Sequence, residues 1–403
     1  MDTILVINAG SSHLRFQIYS VEGEGRLRQQ LQGRIDGIGR CPRLQASRAA
    51  GDPLANRAYP VEAVPDISAA LNIAGGWLRD ELHISPIAVG HHVVHGGTEH
   101  DRSVLIDHGV LARLERLTAL APLHLPHNLA PIRSILVDFP SVPQVACFDT
   151  AFHRTHAAVA DHYAIPPPLY VEGVRRYGFH GLSYEYIAKT LPMIAPKIAL
   201  GRVIVARLGS GASMCALSGG RSVESTMGFS ALDGLPMGAR PGQIDPGVVL
   251  YLISEKGMSA QMVQEFLHED CGLKGLSGGV SGDVRQLEAS QDPSAKFAID
   301  YFVYRIGLNA GMLAAALQGL DAFVFTAEVG VNSASIRSRV VEQLAWLGVR
   351  LDVVENARKS QLISSAASRI PVYVVPSDEE LMIARHTLAL LMSGSSRAPS
   401  RVC

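Results

Sequence analysis

Ile4-Leu5-Val6-Ile7-Asn8-Ala9-Gly10-Ser11-Ser12-His13-Leu14-Arg15-Phe16-Gln17-Ile18-Tyr19 is the stretch on which the fold turns. An apolar run from Ile4 to Ile7 meets a turn of small residues, Asn8 to Ser12, and a second apolar run follows from Leu14 to Tyr19. That pattern predicts a strand, a tight turn and a returning strand. The plan recurs at Val203-Ile204-Val205, the turn Arg207-Leu208-Gly209-Ser210-Gly211, and Ala212 to Leu217. Two such hairpins far apart in the chain predict a duplicated domain. A third strand, Ala322 to Phe325, is expected to enter a Gly-containing loop, Thr326 to Asn332, and then a helix from Ser333 to Leu347. Leucines at spacing three predict a helix over Val110 to Leu120, and Met258 to Leu267 reads likewise. Strands alternating with helices place the chain in the α/β class, and 403 residues exceed one ordinary core.

Composition removes several function classes. Lys and Arg number 36 against 37 Asp and Glu, a net charge of −1, so no global field draws the chain to nucleic acid or an anionic membrane. The apolar stretch Phe297 to Leu320 contains Asp300, Arg305 and Asn309, which favours a buried helix of a soluble protein over a membrane span. Five cysteines without a CxxC pair argue against a disulfide framework or structural zinc and fit a reducing cytoplasm. No basic segment precedes the strand at Thr3 to Ile7, which argues against a signal peptide. The polar tail 393–403 is expected to be disordered.

Polar groups concentrate in a few apolar settings. Both Gly-rich turns offer backbone N–H groups and small side chains to phosphate oxygens, and the absence of GxxxxGK[ST] excludes a P-loop. In Gly90-His91-His92-Val93-Val94-His95-Gly96-Gly97, a strand sends His91 and His92 to opposite faces, so one imidazole facing a cleft is preferred to a zinc site. Asp149 ends the apolar strand Val145 to Phe148, where α/β ligand sites tend to lie, with a helix N-cap as the alternative. Arg240 sits in the loop Met237-Gly238-Ala239-Arg240-Pro241-Gly242, suited to phosphate or carboxylate. Asp378-Glu379-Glu380 opens a last helix, as dipole partners or metal ligands.

The ordered motifs NAGSS, VVHGG, APLHxPHN, FDTAFH, RRYGFHG, LGxGAS, MGFxxLxGLxMGxR, FVYRIG, FTAxxGxNS and EELxIAR resemble those of the acetate and propionate kinases, from about Leu5 to about Arg385. The resemblance implies a duplicated, actin-like (ribonuclease H-like) two-domain fold around a nucleotide cleft, a homodimer, ATP or ADP as co-substrate, and Mg²⁺ or Mn²⁺. It implies an N-terminal domain of residues 1–149 plus a returning helix within 377–392, and a second domain of 150–376. By matching position, Asn8 and Glu379 hold the metal, Asp149 is the catalytic aspartate, and His180 and Arg240 stabilise the transition state. Arg15, Arg207, Leu208, Gly209, Ser210 and Gly211 match nucleotide contacts, as do Asp283, Val284 and Arg285, and Glu328, Val329, Gly330, Val331 and Asn332. His92, Val94, Leu123 and Phe179 match the acyl-substrate site.

Departures from the family pattern cluster at that site. His92 replaces an arginine expected to hold the substrate carboxylate; a largely neutral imidazole there predicts weak acetate binding that improves at lower pH. Glu328 brings a negative charge where the family has glycine in its GIGEN stretch, predicting weaker ATP binding or another phosphoryl donor. Arg15, His13, Arg207, Ser210, Ala231 and Gln243 are further replacements in the same region. The reading favoured is an acetate kinase. The alternatives are a propionate or other short-chain acyl kinase, a paralogue with impaired turnover, and, more distantly, a sugar kinase.

Overall fold

The computed structural model describes residues 2–395. The chain divides into two compact units: one takes it up to Phe152 and again from Asp378, and the other is His153–Ser377.

The first unit is built on an eight-stranded sheet. Its strands are β1 (Thr3–Ala9), β2 (His13–Glu22), β3 (Arg26–Asp36), β4 (Arg43–Arg48), β5 (Pro53–Ala58), β6 (Ala88–Val93), β7 (Val104–Leu105) and β8 (Gln144–Phe148), in the spatial order β5-β4-β3-β2-β1-β6-β8-β7. The opening hairpin pairs Asn8 with Arg15 and Ala9 with Leu14. Alternation along β2 buries Leu14, Phe16 and Ile18 on one face and leaves Arg15 exposed on the other. Each such burial contributes about 1.5–3 kcal/mol. From β1 the sheet turns parallel, through β6 and β8. Here both faces are covered, by the helix Leu125–Asp138 and by the last helix Glu379–Ser395, so β1 and β8 are buried almost throughout.

The second unit repeats the wiring. β9 (Arg202–Leu208), β10 (Ala212–Ser218) and β11 (Arg221–Ser225) are antiparallel, then β12 (Ala322–Thr326) and β13 (Val372–Val374) add in parallel, in the order β11-β10-β9-β12-β13. The central helix Pro293–Ala316 is the apolar stretch considered above as a membrane span. Its cap is Asp292, which accepts from Ser294 N at 2.8 Å. Among the described residues no helix is long and apolar enough to cross a membrane.

Four expectations change. The loop expected at Thr326 to Asn332 is a short helix, Ala327–Asn332, because Thr326 turns the chain at its N-cap and positive φ falls on Ala327. The single helix expected from Ser333 to Leu347 is Ala334–Gln343 followed by a 3₁₀ turn, Ala345–Leu347, and Val110 to Leu120 breaks in the same way after Arg116. The last helix runs on through Ser393 to Ser395, where Ser393 Oγ bonds back to Leu390 O; the rest of the tail 393–403 lies outside the described residues.

Candidate active site

In the first unit the site residues gather at the ends of β1, β6 and β8. Register decides which side chains meet. Ile7 pairs with His91 and His92 with Cys147, and Asp149 N bonds to Val93 O at 3.1 Å. With a period of two, Asn8, His92 and Asp149 therefore share one face, and His91 takes the other. His91 bonds Gln144 Oε1 at 2.7 Å and burial pushes its pKa down to about 4. His92 Nε2 bonds Asp149 Oδ2 at 3.0 Å.

The last helix reaches this face because residue 90 is glycine. A Cβ there would stand 2.4 Å from Thr387 Oγ1 and 2.6 Å from Ile383 Cγ2. The close approach brings the first turn of the helix toward His92. Asp378 caps that turn, accepting from Leu381 N at 2.8 Å, which leaves Glu379 and Glu380 to the site. Glu380 is raised by burial and by the charge of Glu379.

His92 is therefore not the neutral imidazole expected. Burial is the largest single influence and pulls its pKa down, but Asp149, by charge and hydrogen bond, with Glu379 and Glu380, outweighs it and lifts the group to about 9. The sequence shows the lost arginine but not the three carboxylates that restore the charge. Two buried atoms are left unpartnered in this pair, His92 Nδ1 and Asp149 Oδ1. A buried polar atom with no partner costs about 1–3 kcal/mol, so both call for a ligand.

Asn128 closes the APLHxPHN motif. It is buried; its Nδ2 donates to Ala9 O at 2.7 Å while its Oδ1 accepts from Val94 N at 2.9 Å, clamping the exits of β1 and β6. The side chain of Arg15, opposite Asn8, is exposed and makes no hydrogen bond or ion pair among the described residues. Val94 is half-buried and Leu123 exposed.

In the second unit the turn Gly209–Gly211 joins β9 to β10. Leu208 is fully buried, so it presents only backbone. Arg207 Nε donates to Ser183 Oγ at 3.0 Å and its NH1 to Gly211 O at 3.3 Å. His180 enters from the turn Gly178-Phe179-His180 with φ +58, a left-handed conformation that costs about 1–3 kcal/mol in a residue with a Cβ. It stands at the N-cap of the helix Gly181–Ile194 but does not cap it; its Nδ1 bonds Ser213 Oγ at 2.7 Å instead. The far nitrogen faces Gly211, where a Cβ would lie 3.3 Å from Nε2. Phe179 is buried beside it, and His153, of the FDTAFH motif, bonds Phe179 O and Ser222 Oγ.

A cavity of about 520 Å³ opens from this turn. It is lined by Gly209–Gly211, Gly238–Arg240, His268, Lys274, Asp283–Arg285, Glu288 and Glu328, Val329, Asn332 and Ser333. Arg240 is half-buried and donates from NH1 to Ala231 O at 3.4 Å; burial holds its pKa below the usual value. Burial and the charge of Arg240 push His268 to about 4, so it stays neutral. Gln243, grouped above with the site replacements, does not line this cavity and accepts from Arg305 at 2.5 Å.

Glu328 lies within the helix Ala327–Asn332 rather than at a positive-φ position, so a side chain is accommodated there without backbone strain. Its carboxylate pairs with Arg285 at 3.2 Å, which also holds Asp283 at 2.9 Å. Val284 is buried. The carbonyls of Gly330 and Val331 accept from the fully buried Arg337, at 3.0 and 2.7 Å, which ties down the end of this helix. Asn332 accepts from Lys359.

A duplicated hairpin sheet carrying a glycine-lined cavity with Arg240, Lys274 and Arg285 in one copy and a carboxylate–imidazole pair in the other defines a phosphoryl-transfer enzyme. The acetokinase family profile matches residues 3–385, and the chain belongs to that family of phosphotransferases with a carboxyl acceptor. It is 73% identical over 396 residues to the acetate kinase of Nitrobacter hamburgensis, covering 98% of each chain. It is 58% identical to that of Rhizobium meliloti, covering 97% of this chain and 99% of the relative. Among solved structures, Porphyromonas gingivalis acetate kinase is 33% identical with a TM-score of 0.86, covering 97% of this chain and 100% of that one. A propionate kinase from Francisella tularensis is 33% identical with a TM-score of 0.90, covering 96% and 100%. The actin-like two-domain α/β fold follows.

Proposed function

We propose that this chain transfers a phosphoryl group reversibly between ATP and acetate, giving acetyl phosphate and ADP. The observation that carries the reading is the cavity at Gly209–Gly211, bordered by His180 Nε2 and lined by Arg240. Carboxylates have pKa values of about 4–5 and are ionised at neutral pH, so the acceptor needs no general base. The chain has instead to position two anions and compensate their charge. His180 and Arg240 stabilise the equatorial oxygens of the transferring group. Arg15, Arg207, the turn amides, Asp283–Arg285 and the helix Ala327–Asn332 bind the nucleotide. Charged His92 commits Nε2–H to Asp149 and offers Nδ1–H to the acetate carboxylate, while Val94, Leu123 and Phe179 contact its methyl group.

Asn8 and Glu379 would hold Mg²⁺, with Mn²⁺ as a substitute. Among the described residues no three His, Cys, Asp or Glu side chains converge as a metal site. That fits an ion that takes one or two protein ligands and keeps waters and phosphate oxygens. The surplus of Glu379, Glu380 and Asp149 over His92, with Asp149 Oδ1 unpartnered, supplies the negative charge and the acceptor for such waters. When bound, the ion neutralises phosphate charge.

A homodimer and a cytoplasmic location complete the reading. The helix Pro246–Ser254 buries none of its residues and exposes Leu250, Tyr251 and Ile253, and the helix Pro293–Ala316 exposes Phe297, Tyr304, Leu308 and Met312. Apolar rows of this kind fit a second copy; a monomer in sedimentation at micromolar concentration would refute the dimer.

The test of function traps acyl phosphate as hydroxamate, with acetate, propionate and butyrate against ATP, GTP and pyrophosphate. Acetate with ATP is expected to be the best pair. Preference for propionate would favour the alternative that the Francisella tularensis neighbour represents, and preference for another donor would trace to Glu328. No turnover with any pair would end the kinase reading.

A further inference from the structure

A chain of hydroxyls meets His180 at Nδ1. Its Nδ1 bonds Ser213 Oγ at 2.7 Å, and Ser213 Oγ in turn bonds the hydroxyl of Tyr184. Ser213 and Tyr184 are both fully buried. The arrangement is dictated locally. Tyr184 lies one turn beyond His180, with its N–H on His180 O at 3.2 Å, so the two side chains leave the helix Gly181–Ile194 on the same side. Ser213 follows the turn Gly209–Gly211 by two residues on β10, beside the glycine that His180 Nε2 faces. The Tyr184 ring is fixed edge-on against His153, with centroids 5.7 Å apart, and His153 is anchored by Ser222 Oγ and Phe179 O.

We propose that Tyr184 and Ser213 are positioning residues: a hydroxyl relay that sets the tautomer of His180 and so makes Nε2 a donor toward the Gly209–Gly211 turn. A phenol is the stronger donor and the weaker acceptor of the two hydroxyls, since its lone pair is conjugated with the ring. Tyr184 therefore donates to Ser213, and Ser213 places its own proton on His180 Nδ1. An imidazole that accepts at Nδ1 carries its proton at Nε2. The opposite tautomer would present a lone pair to anionic oxygens and repel them. The relay deepens the proposed function, because it rests on His180 acting on the transferring phosphoryl group. It also accounts for the strained backbone at His180: the left-handed φ turns the ring away from its own helix end and into the relay.

Two readouts on the full-length chain separate the relay from that premise. Long-range ¹H–¹⁵N correlation of ¹⁵N-histidine protein reports the tautomer without any turnover. The wild type is expected to show His180 protonated at Nε2. Ser213→Ala should move it to a tautomer mixture and lower kcat by about ten- to a hundredfold, with the KM for acetate changed less than twofold. Tyr184→Phe, which removes one proton and keeps the ring, should give intermediate values in both readouts. A Ser213→Ala protein that keeps the Nε2–H signature overturns the relay. A shifted tautomer with unchanged kcat overturns its catalytic purpose. If His180→Gln also keeps full kcat, the fault lies in the role assigned to His180, and if it is inactive the relay alone has failed.

Discussion

Raising the pH through the titration of His92 should weaken acetate binding near pH 9, not near 6.5. At a pKa of about 9 the imidazole is charged about a hundred times more often than neutral at pH 7, half the time at pH 9, and about one time in ten at pH 10. Only the charged ring has an N–H left for substrate once Nε2 is committed to Asp149. A hydrogen bond to a charged group contributes about 1.5–3 kcal/mol, which sets a ceiling of about 10–100-fold on the change in KM. The KM for acetate should be flat from pH 6 to 8, double near pH 9 and rise about tenfold by pH 10. The assay is initial-rate hydroxamate formation at saturating ATP, with His92→Arg as control: guanidinium does not titrate in this range, so its profile should stay flat to pH 10. The same shift enters stability. A raised pKa stabilises the folded chain fully below the unfolded value of about 6.5, by about 3 kcal/mol, and that contribution is lost as pH rises to about 9. Denaturant unfolding in EDTA should therefore show wild type losing ground to His92→Arg between pH 6.5 and 9. A break in KM near pH 6.5 would refute the reasoning, because it would mean that the three carboxylates do not hold the charge.

Two further perturbations follow from the geometry. Gly90→Ala places a methyl group 2.4 Å from Thr387 Oγ1 and must push the last helix outward; it should cost about 1–3 kcal/mol in calorimetric stability and raise the Mg²⁺ concentration for half-maximal rate, and unchanged values of both would count against the packing argument. Glu328→Gln should release Arg285 and tighten ATP binding by about two- to fivefold in titration calorimetry, since both partners are exposed and the pair is weak; weaker binding would show that the carboxylate itself contacts the nucleotide.

The hairpins β1–β2 and β9–β10 were legible in the sequence because apolar runs there meet turns of small residues, so period and punctuation agree; the polar strands β3, β4 and β5 were not, since too few of their residues are apolar to mark a strand. The short helix at Ala327–Asn332 was not, since a six-residue segment with an internal glycine reads as a loop and owes its shape to Arg337, which is buried among its carbonyls. Tertiary pairing likewise set the site's chemistry. His92 reads as a lost arginine until Asp149, 57 positions away, and the first turn of the last helix are brought beside it.

By itself, then, the sequence determined the family, the duplicated hairpins and which residue types stand at the phosphate turns, because those depend on local pattern and spacing. Only the tertiary structure decided the charge on His92, the partner of Glu328 and the hydroxyls behind His180. Each is an electrostatic or hydrogen-bonding property set by groups distant in the chain and by their exclusion from water, and no local reading of the residues contains it.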